Sequence, residues 1–423
     1  VSAATIASAR EVSITRARVL GIAFVLSGVT IAVLFGLGSA HSGSATFVLN
    51  EARGNAVSLP DLVVPAAATA WILAAVCAFL GGIQLTRGFG RRVGLVLGLV
   101  VVLFVFAFLT WAARDRSLNL VGMLQSTLLR SVPITFGALS GVLCERSGIV
   151  NIGIEGMLLS AAFTGALVGS ATDNLWIGLI GGALVGGVLG WFLALLSIRY
   201  RVDQIIGGTF INIFALGMTS YLSSRILQQP EYQDLNNPGR FQNIQIPGLS
   251  RIPVIGPVLF NDNVFVYIMF ALVALIFVGL FYTRWGLRTR AVGEHPRAAD
   301  TVGIRVVATR YRNVILGGIV AGIGGAYFTL GSVGRFDENM TAGRGFIGLA
   351  AMIFGRWNPV GALLAALVFG FADSLQTKLS ILNVPIPSEF LLMAPYLVTI
   401  FVVAGAVRKA RPPAAENKPY VKE

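Results

Sequence analysis

The chain is divided by stretches of about twenty apolar residues, each long enough to cross a lipid bilayer as an α-helix. Val19 to Gly38, residues 67–86 and residues 93–112 come first. The segments 122–144, 149–170, 175–198, 204–224, 263–282, 313–333, a run after Pro359 to about 376, and 388–407 follow. In hydrocarbon every backbone N–H and C=O must find a partner inside the protein, and a helix satisfies that segment by segment. Composition agrees, because 55% of the residues are hydrophobic and only 12% charged, whereas soluble domains carry about 25% charged residues. The expectation is an all-α integral membrane protein, a polytopic helical bundle of about 10–12 transmembrane helices.

A net charge of +13 would suit a nucleic-acid binder, but its placement argues otherwise. Most of the 32 Lys and Arg fall in the connections assigned to the inner side, such as Arg87, Arg91 and Arg92, or Arg199 and Arg201. That is the bias expected of cytoplasmic loops, so no nucleic-acid partner is implied. Both termini then lie in the cytoplasm, with Arg408, Lys409 and Arg411 anchoring the tail. The first apolar run reads as a retained span, since about twenty apolar residues are long for a signal peptide. Read literally, the pattern gives twelve crossings.

Some segments depart from a plain span. Pro133 interrupts 122–144, and 345–355 is about eleven residues, roughly 16 Å as helix and too short to cross. Such short, broken or re-entrant segments belong beside protein or a water-lined path. Residues 39–65 read as a near-neutral outer loop, and the proline-rich 225–262 as an outer lid. Three parts emerge: an N-terminal extension 1–113 with three spans, a core 114–408, and a cytoplasmic tail 409–423. The pair of segments from Ile154 faintly echoes the pair from Gly345 in the opposite orientation, as an inverted repeat would.

The most polar connection, residues 283–312, holds a compact helix signal. Pro296 suits a first helical position and Gly303 a stop after Val302. Arg297 and Asp300 would point outward, with Ala298, Ala299 and Val302 as a small apolar face. It is either a solvated loop or a helix that docks in a groove of a soluble partner.

Within the apolar runs, Asn151 and Glu155 are four apart on one helical face. An intramembrane carboxylate is a functional candidate by default; the alternative is an interfacial Glu155 paired with Arg146 or a helix N-terminus. Asp373 is a second such candidate, with an outer-interface alternative. Thr209 and Asn212 flank Phe210, a set that suits a nucleobase or equally a polar helix contact. Lysine occurs only at 378, 409, 418 and 422, so no Walker A loop exists. His41, His295, Cys77 and Cys144 are too scattered for a catalytic or metal cluster, and the cysteines read as small hydrophobes.

Three stretches, Gly148–Leu159 (GIVNIGIEGMLL), Arg290–Ile304 (RAVGEHPRAADTVGI) and Gly343–Leu363 (GRGFIGLAAMIFGRWNPVGAL), together resemble one family. It is the ABC importer permeases of the nucleoside, simple-sugar and branched-chain amino-acid branch, nearest its nucleoside type. The resemblance implies a transport subunit without its own ATPase site, working by alternating access in a bacterial cytoplasmic membrane. It also implies separate ATPases that bind ATP and Mg, a second and different permease, an extracytoplasmic binding lipoprotein and a nucleoside substrate. Glu294, Pro296, Arg297, Ala298, Ala299 and Gly303 would form the ATPase contact. Asn151 and Glu155 would lie near the substrate pathway, with Thr209, Phe210, Asn212 and Asp373 as further candidates. His295 stands where the family more often has Asn, which puts the helix cap in question. A simple-sugar permease and a proton-coupled carrier relaying through Glu155 and Asp373 are the alternatives.

Overall fold

The apolar runs form helices throughout. The computed structural model describes residues 3–37, 43–50, 59–382, 384, 393 and 411–422. Among these residues ten helices are long and apolar enough to cross a membrane. Of the twelve crossings expected, 345–355 forms a shorter helix and 388–407 lies outside the described residues. The described residues fall into two compact units, one up to Gly122 together with those just after Thr377, and one over Met123–Thr377 with the tail 411–422.

The first unit holds α1 (Ala3–Thr30), α2 (Ala66–Thr86) and α3 (Val93–Ala112), with a π-helical turn, Ile31–Gly36, closing α1. Phe24, Ile31, Phe35, Ala70, Ala74 and Cys77 form its core. The outer loop expected over 39–65 contains strands. β1 (Ser44–Val48) pairs antiparallel with β2 (Leu62–Pro65), Ser44 opposite Pro65, and parallel with β3 (Ser117–Asn119), Thr46 opposite Ser117. Alternation explains them: Ala45 and Phe47 turn inward, and Phe47 stacks on Phe106 at 5.4 Å.

In the second unit α4 (Leu120–Glu145) is the central post, its apolar window 89% buried against 28% for the helix beginning at Gln204. α4 runs unbroken through Pro133. A proline leaves the carbonyl four residues back without its N–H partner, and here the Tyr327 hydroxyl donates to that carbonyl, Leu129 O, at 2.9 Å. A neighbouring helix thus satisfies what proline frees.

α5 (Ile154–Ala171), α6 (Leu175–Ala194) and α7 (Gln204–Leu222) follow. Asn174 caps α6 and Asp203 caps α7 through their side-chain oxygens. The 225–262 connection holds a 3₁₀ turn (Pro230–Asn236), a short α8 (Ile255–Leu259), and β4 (Ile244–Gln245) paired with β5 (Asn261–Asp262). Next come α9 (Val264–Tyr282), α10 (Arg284–Glu294), α11 (Pro296–Thr301), α12 (Val306–Ala326), α13 (Arg344–Phe354) and α14 (Pro359–Ile381). α9 and α14 pack on α4 through Met269, Val273, Ala366 and Phe369.

α6 and α12 approach until their backbones touch. A side chain at Gly186 would collide with the Gly318 carbonyl, and one at Gly322 with the Gly182 carbonyl. Small residues at such a crossing allow dispersion contact where lipid supplies no hydrophobic drive. Gly186→Leu should therefore destabilise the protein by about 3 kcal/mol, read as a fall in unfolding temperature in detergent. Gly217→Leu, which meets nothing within 4 Å, should leave it unchanged.

Candidate coupling surface and translocation cavity

The polar connection after α9 folds as two successive helices. The Thr283 hydroxyl donates to Gly279 O at 2.6 Å and accepts from Gly286 N at 3.3 Å, capping α10 as α9 ends. α10 is fixed to α12 by a buried pair: Asn313 Nδ2 donates to Thr289 Oγ1 at 3.2 Å and to Thr309 O at 2.7 Å.

α11 spans Pro296–Thr301, inside the expected bounds. His295 does the capping work in question, because its Nδ1 accepts from Ala298 N at 3.2 Å. Gly303, at φ +83°, ends the helix in the left-handed region that glycine favours. Ala299 faces inward against Val292 and Val306. Ala298, Thr301 and Val302 face out, Val302 with 75% of its surface exposed. The apolar face expected from sequence is therefore divided, with Ala299 anchoring the helix and Ala298 and Val302 presented. Arg297 and Gly303 are exposed, Asp300 is half-buried, and Glu294 accepts from Ala414 N at 3.3 Å.

Behind this loop, Arg146 donates to Trp357 O at 2.9 Å and packs over the Phe281 ring. Burial lowers the Arg146 pKa, and the like charge of Arg290 adds to the effect. Trp357 donates through Nε1 to Glu145 at 2.6 Å, closing the turn between α13 and α14.

A second constellation lies deeper. α13 begins beside Gly137, midway along α4, and reaches the end of α4 by Trp357. Its first turn exposes N–H groups within the apolar layer, and Glu155 meets them. Oε1 accepts from Thr341 Oγ1 at 2.6 Å and Gly343 N at 2.8 Å, and Oε2 from Gly345 N at 2.6 Å. A Cβ on Gly345 would lie 2.6 Å from the Glu155 backbone, so the two helix starts abut. Asn212 clips the start of α5, accepting from Gly156 N at 2.8 Å and donating to Ile152 O at 2.9 Å. Asn151 is fully buried and directs Nδ2 to Ser140 at 3.3 Å.

A cavity of about 510 Å³ opens on the half of the unit away from α11. Arg130 and Pro133 line it from α4, Arg240 and Asn243 from the 225–262 connection, and Arg344 from α13. Tyr327, Phe328 and Ser332, on a π-helical stretch Tyr327–Val333 that continues α12, complete the wall. Asp373 sits behind it, accepting from Arg130 at 2.7 Å, with Arg344 3.7 Å away. Arg344 also lies over the Phe328 ring. The volume suits a small molecule, and guanidinium planes, aromatic rings and amides are groups that receive a flat, hydrogen-bonding one.

The sequence candidates do not all gather here. Asp373 braces the cavity, Glu155, Asn151 and Asn212 serve the helix junction, and Thr209 and Phe210 lie exposed on the outer face of α7. Arg130, Arg240, Arg344, Tyr327 and Phe328 escaped sequence reasoning. Arg130 carried a usable signal, an arginine within an apolar run. Among the described residues no group of three His, Cys, Asp or Glu side chains suits a metal ion.

A polytopic bundle with a half-length inner helix, a walled cavity and an exposed capped helix on its basic loop defines a membrane permease. Residues 123–403 match the family described as branched-chain amino acid transport system / permease component, and the chain belongs to that family. It is a transport subunit with no catalytic site of its own. The guanosine ABC transporter permease protein NupQ of Bacillus subtilis is 39% identical over 313 residues, 71% of this chain and 96% of the relative. The nucleoside ABC transporter permease protein NupC of Lactococcus lactis is 40% identical over 320 residues, 72% of this chain and 99% of the relative. A second guanosine permease of B. subtilis, NupP, is 28% identical over 294 residues, 66% of this chain and 80% of the relative. No solved structure matches.

Replacing Glu155 by Ala strips three donors of their acceptor and should cost roughly 3 kcal/mol or more. The loss should be measurable as thermal destabilisation in detergent together with reduced uptake. Glu155→Gln, which keeps one acceptor oxygen, should fall between the two.

Proposed function

We propose that this chain is one of two permeases of a nucleoside importer in a bacterial cytoplasmic membrane. Two separate ATPases that bind ATP and Mg would drive it, and an extracytoplasmic binding lipoprotein would load it. The observation that carries the substrate reading is identity near 40% to guanosine and nucleoside permeases over almost their whole length. The existence of NupP beside NupQ in one organism favours a partner permease of different sequence.

The geometry fits a mechanical role. An ATPase seated on Ala298 and Val302 would push a helix that His295 and Gly303 hold at both ends. The push would pass through the Thr289–Asn313 pair into α12, whose far end supplies Tyr327 and Phe328 to the cavity. Substrate held by weak stacking and amide contacts leaves when the wall moves, so specificity would rest mainly with the binding protein. Glu155 and Asp373 are each engaged by fixed donors, an arrangement better suited to holding helices than to relaying protons.

Ala298→Glu and Gly303→Glu should each abolish nucleoside uptake and substrate-stimulated ATP hydrolysis while leaving membrane insertion intact. Normal uptake by both variants would overturn the coupling assignment. Competition of labelled-guanosine uptake by other nucleosides, but not by ribose or glucose, is the expected substrate profile.

A further inference from the structure

The C-terminal residues 411–422 return to the loop that carries α11. Ala415 N donates to Gly293 O at 2.9 Å, at the end of α10 where carbonyls lack helical partners. Ala414 N donates to Glu294 Oε2 at 3.3 Å, and the Lys422 ammonium lies 3.6 Å from Asp300 of α11. Tyr420 packs against the cluster of Val292, Ala299 and Val306 that seats α11. Arg310, 2% exposed on α12, donates to the Lys418 carbonyl at 3.1 Å. The tail thus supplies a buried arginine with an acceptor, a requirement that burial makes strict. Burial also lifts the Glu416 carboxyl above its ordinary range, a sign that the turn is seated in the protein.

These contacts join three helices through one segment. α11 has six residues, too few to persist alone, and Ala299 is its one fully buried side chain. We propose that residues 411–422 are a strap that clamps the coupling helix and extends the surface on which the ATPase seats. Val421, 46% exposed, adds an apolar side chain beside Pro296 and Thr301 of α11. Arg297 and Lys418, both exposed, line the clefts there, and Lys422 stands beside Asp300. Clefts of about 360 and 190 Å³ run between the strap and α11. The surface fits one partner, an ATPase subunit offering an apolar groove with an acidic rim, since its own basic rim supplies the complement. The proposal rests on the coupling role assigned above to α11 and adds the tail to it.

The test uses the complete importer in lipid vesicles, with both permeases, the ATPase and the binding protein, measuring guanosine uptake and ATP hydrolysis together. Deletion of residues 413–423 should cut uptake per ATP hydrolysed by about fivefold or more, the scale of an allosteric coupling. Tyr420→Ala and Lys422→Glu should each lower it part-way and keep the complex assembled. Glu294→Cys combined with Ala414→Cys should form a disulfide in membranes under mild oxidation. A wild-type ratio in the deletion variant, or failure of that disulfide to form, would overturn the strap. If the deletion variant does not assemble, the two point variants decide, and wild-type ratios in both overturn it. Ala298→Glu is run alongside. Full uptake in that variant with impaired ratios in the strap variants would reject the coupling role of α11 and retain the strap.

Discussion

A helix that starts inside an apolar layer must hand its first N–H groups to something, and water is not there to take them. Glu155 resolves this for α13 by accepting from Thr341, Gly343 and Gly345. Much else follows from that junction. α13 can be only eleven residues long because its start is satisfied at the level of Gly137. Its early beginning leaves room beyond Arg344 for the cavity. A full-length helix in its place would fill the volume that Arg130, Tyr327 and Phe328 enclose. Glu155 thus supplies acceptors where the backbone is irregular, the condition under which such backbone survives in a membrane.

The second organising relation is continuity along α12. The helix leaves the α11 turn, donates to Thr289 through Asn313, meets α6 at glycines, and ends in the π-helical stretch at the cavity. Glycine lets the α6 and α12 backbones meet at the crossing, with the Ile319 side chain packed over Gly187. One continuous helical element thereby joins the basic loop to the cavity wall. Such physical continuity is a stronger warrant for coupling than nearness alone.

Much of this was legible in the sequence. Span length, the basic loop and the Pro296 and Gly303 punctuation follow from rules about backbone satisfaction and conformation, and those rules act locally. What stayed hidden depends on partners distant in sequence. Pro133 read as a break, but the hydroxyl that repairs it belongs to Tyr327. Glu155 read as a pathway candidate, and its partners stand 186 to 190 residues away. The strands at 44–48 and 62–65 were missed because the alternation is too brief to rise above a loop reading, and their pairing supplies what sequence did not. Thr209, Phe210 and Asn212 are close along α7 yet face different ways, a matter of helical phase that spacing alone left open.

Cys77 and Cys144 are the chain's two thiols, and both are fully enclosed. A maleimide added to intact membranes finds no native thiol within reach. Fluorophores or spin labels can thus be attached at a chosen exposed residue of this permease without first rebuilding its interior. Its opening and closing can then be followed on the unaltered core.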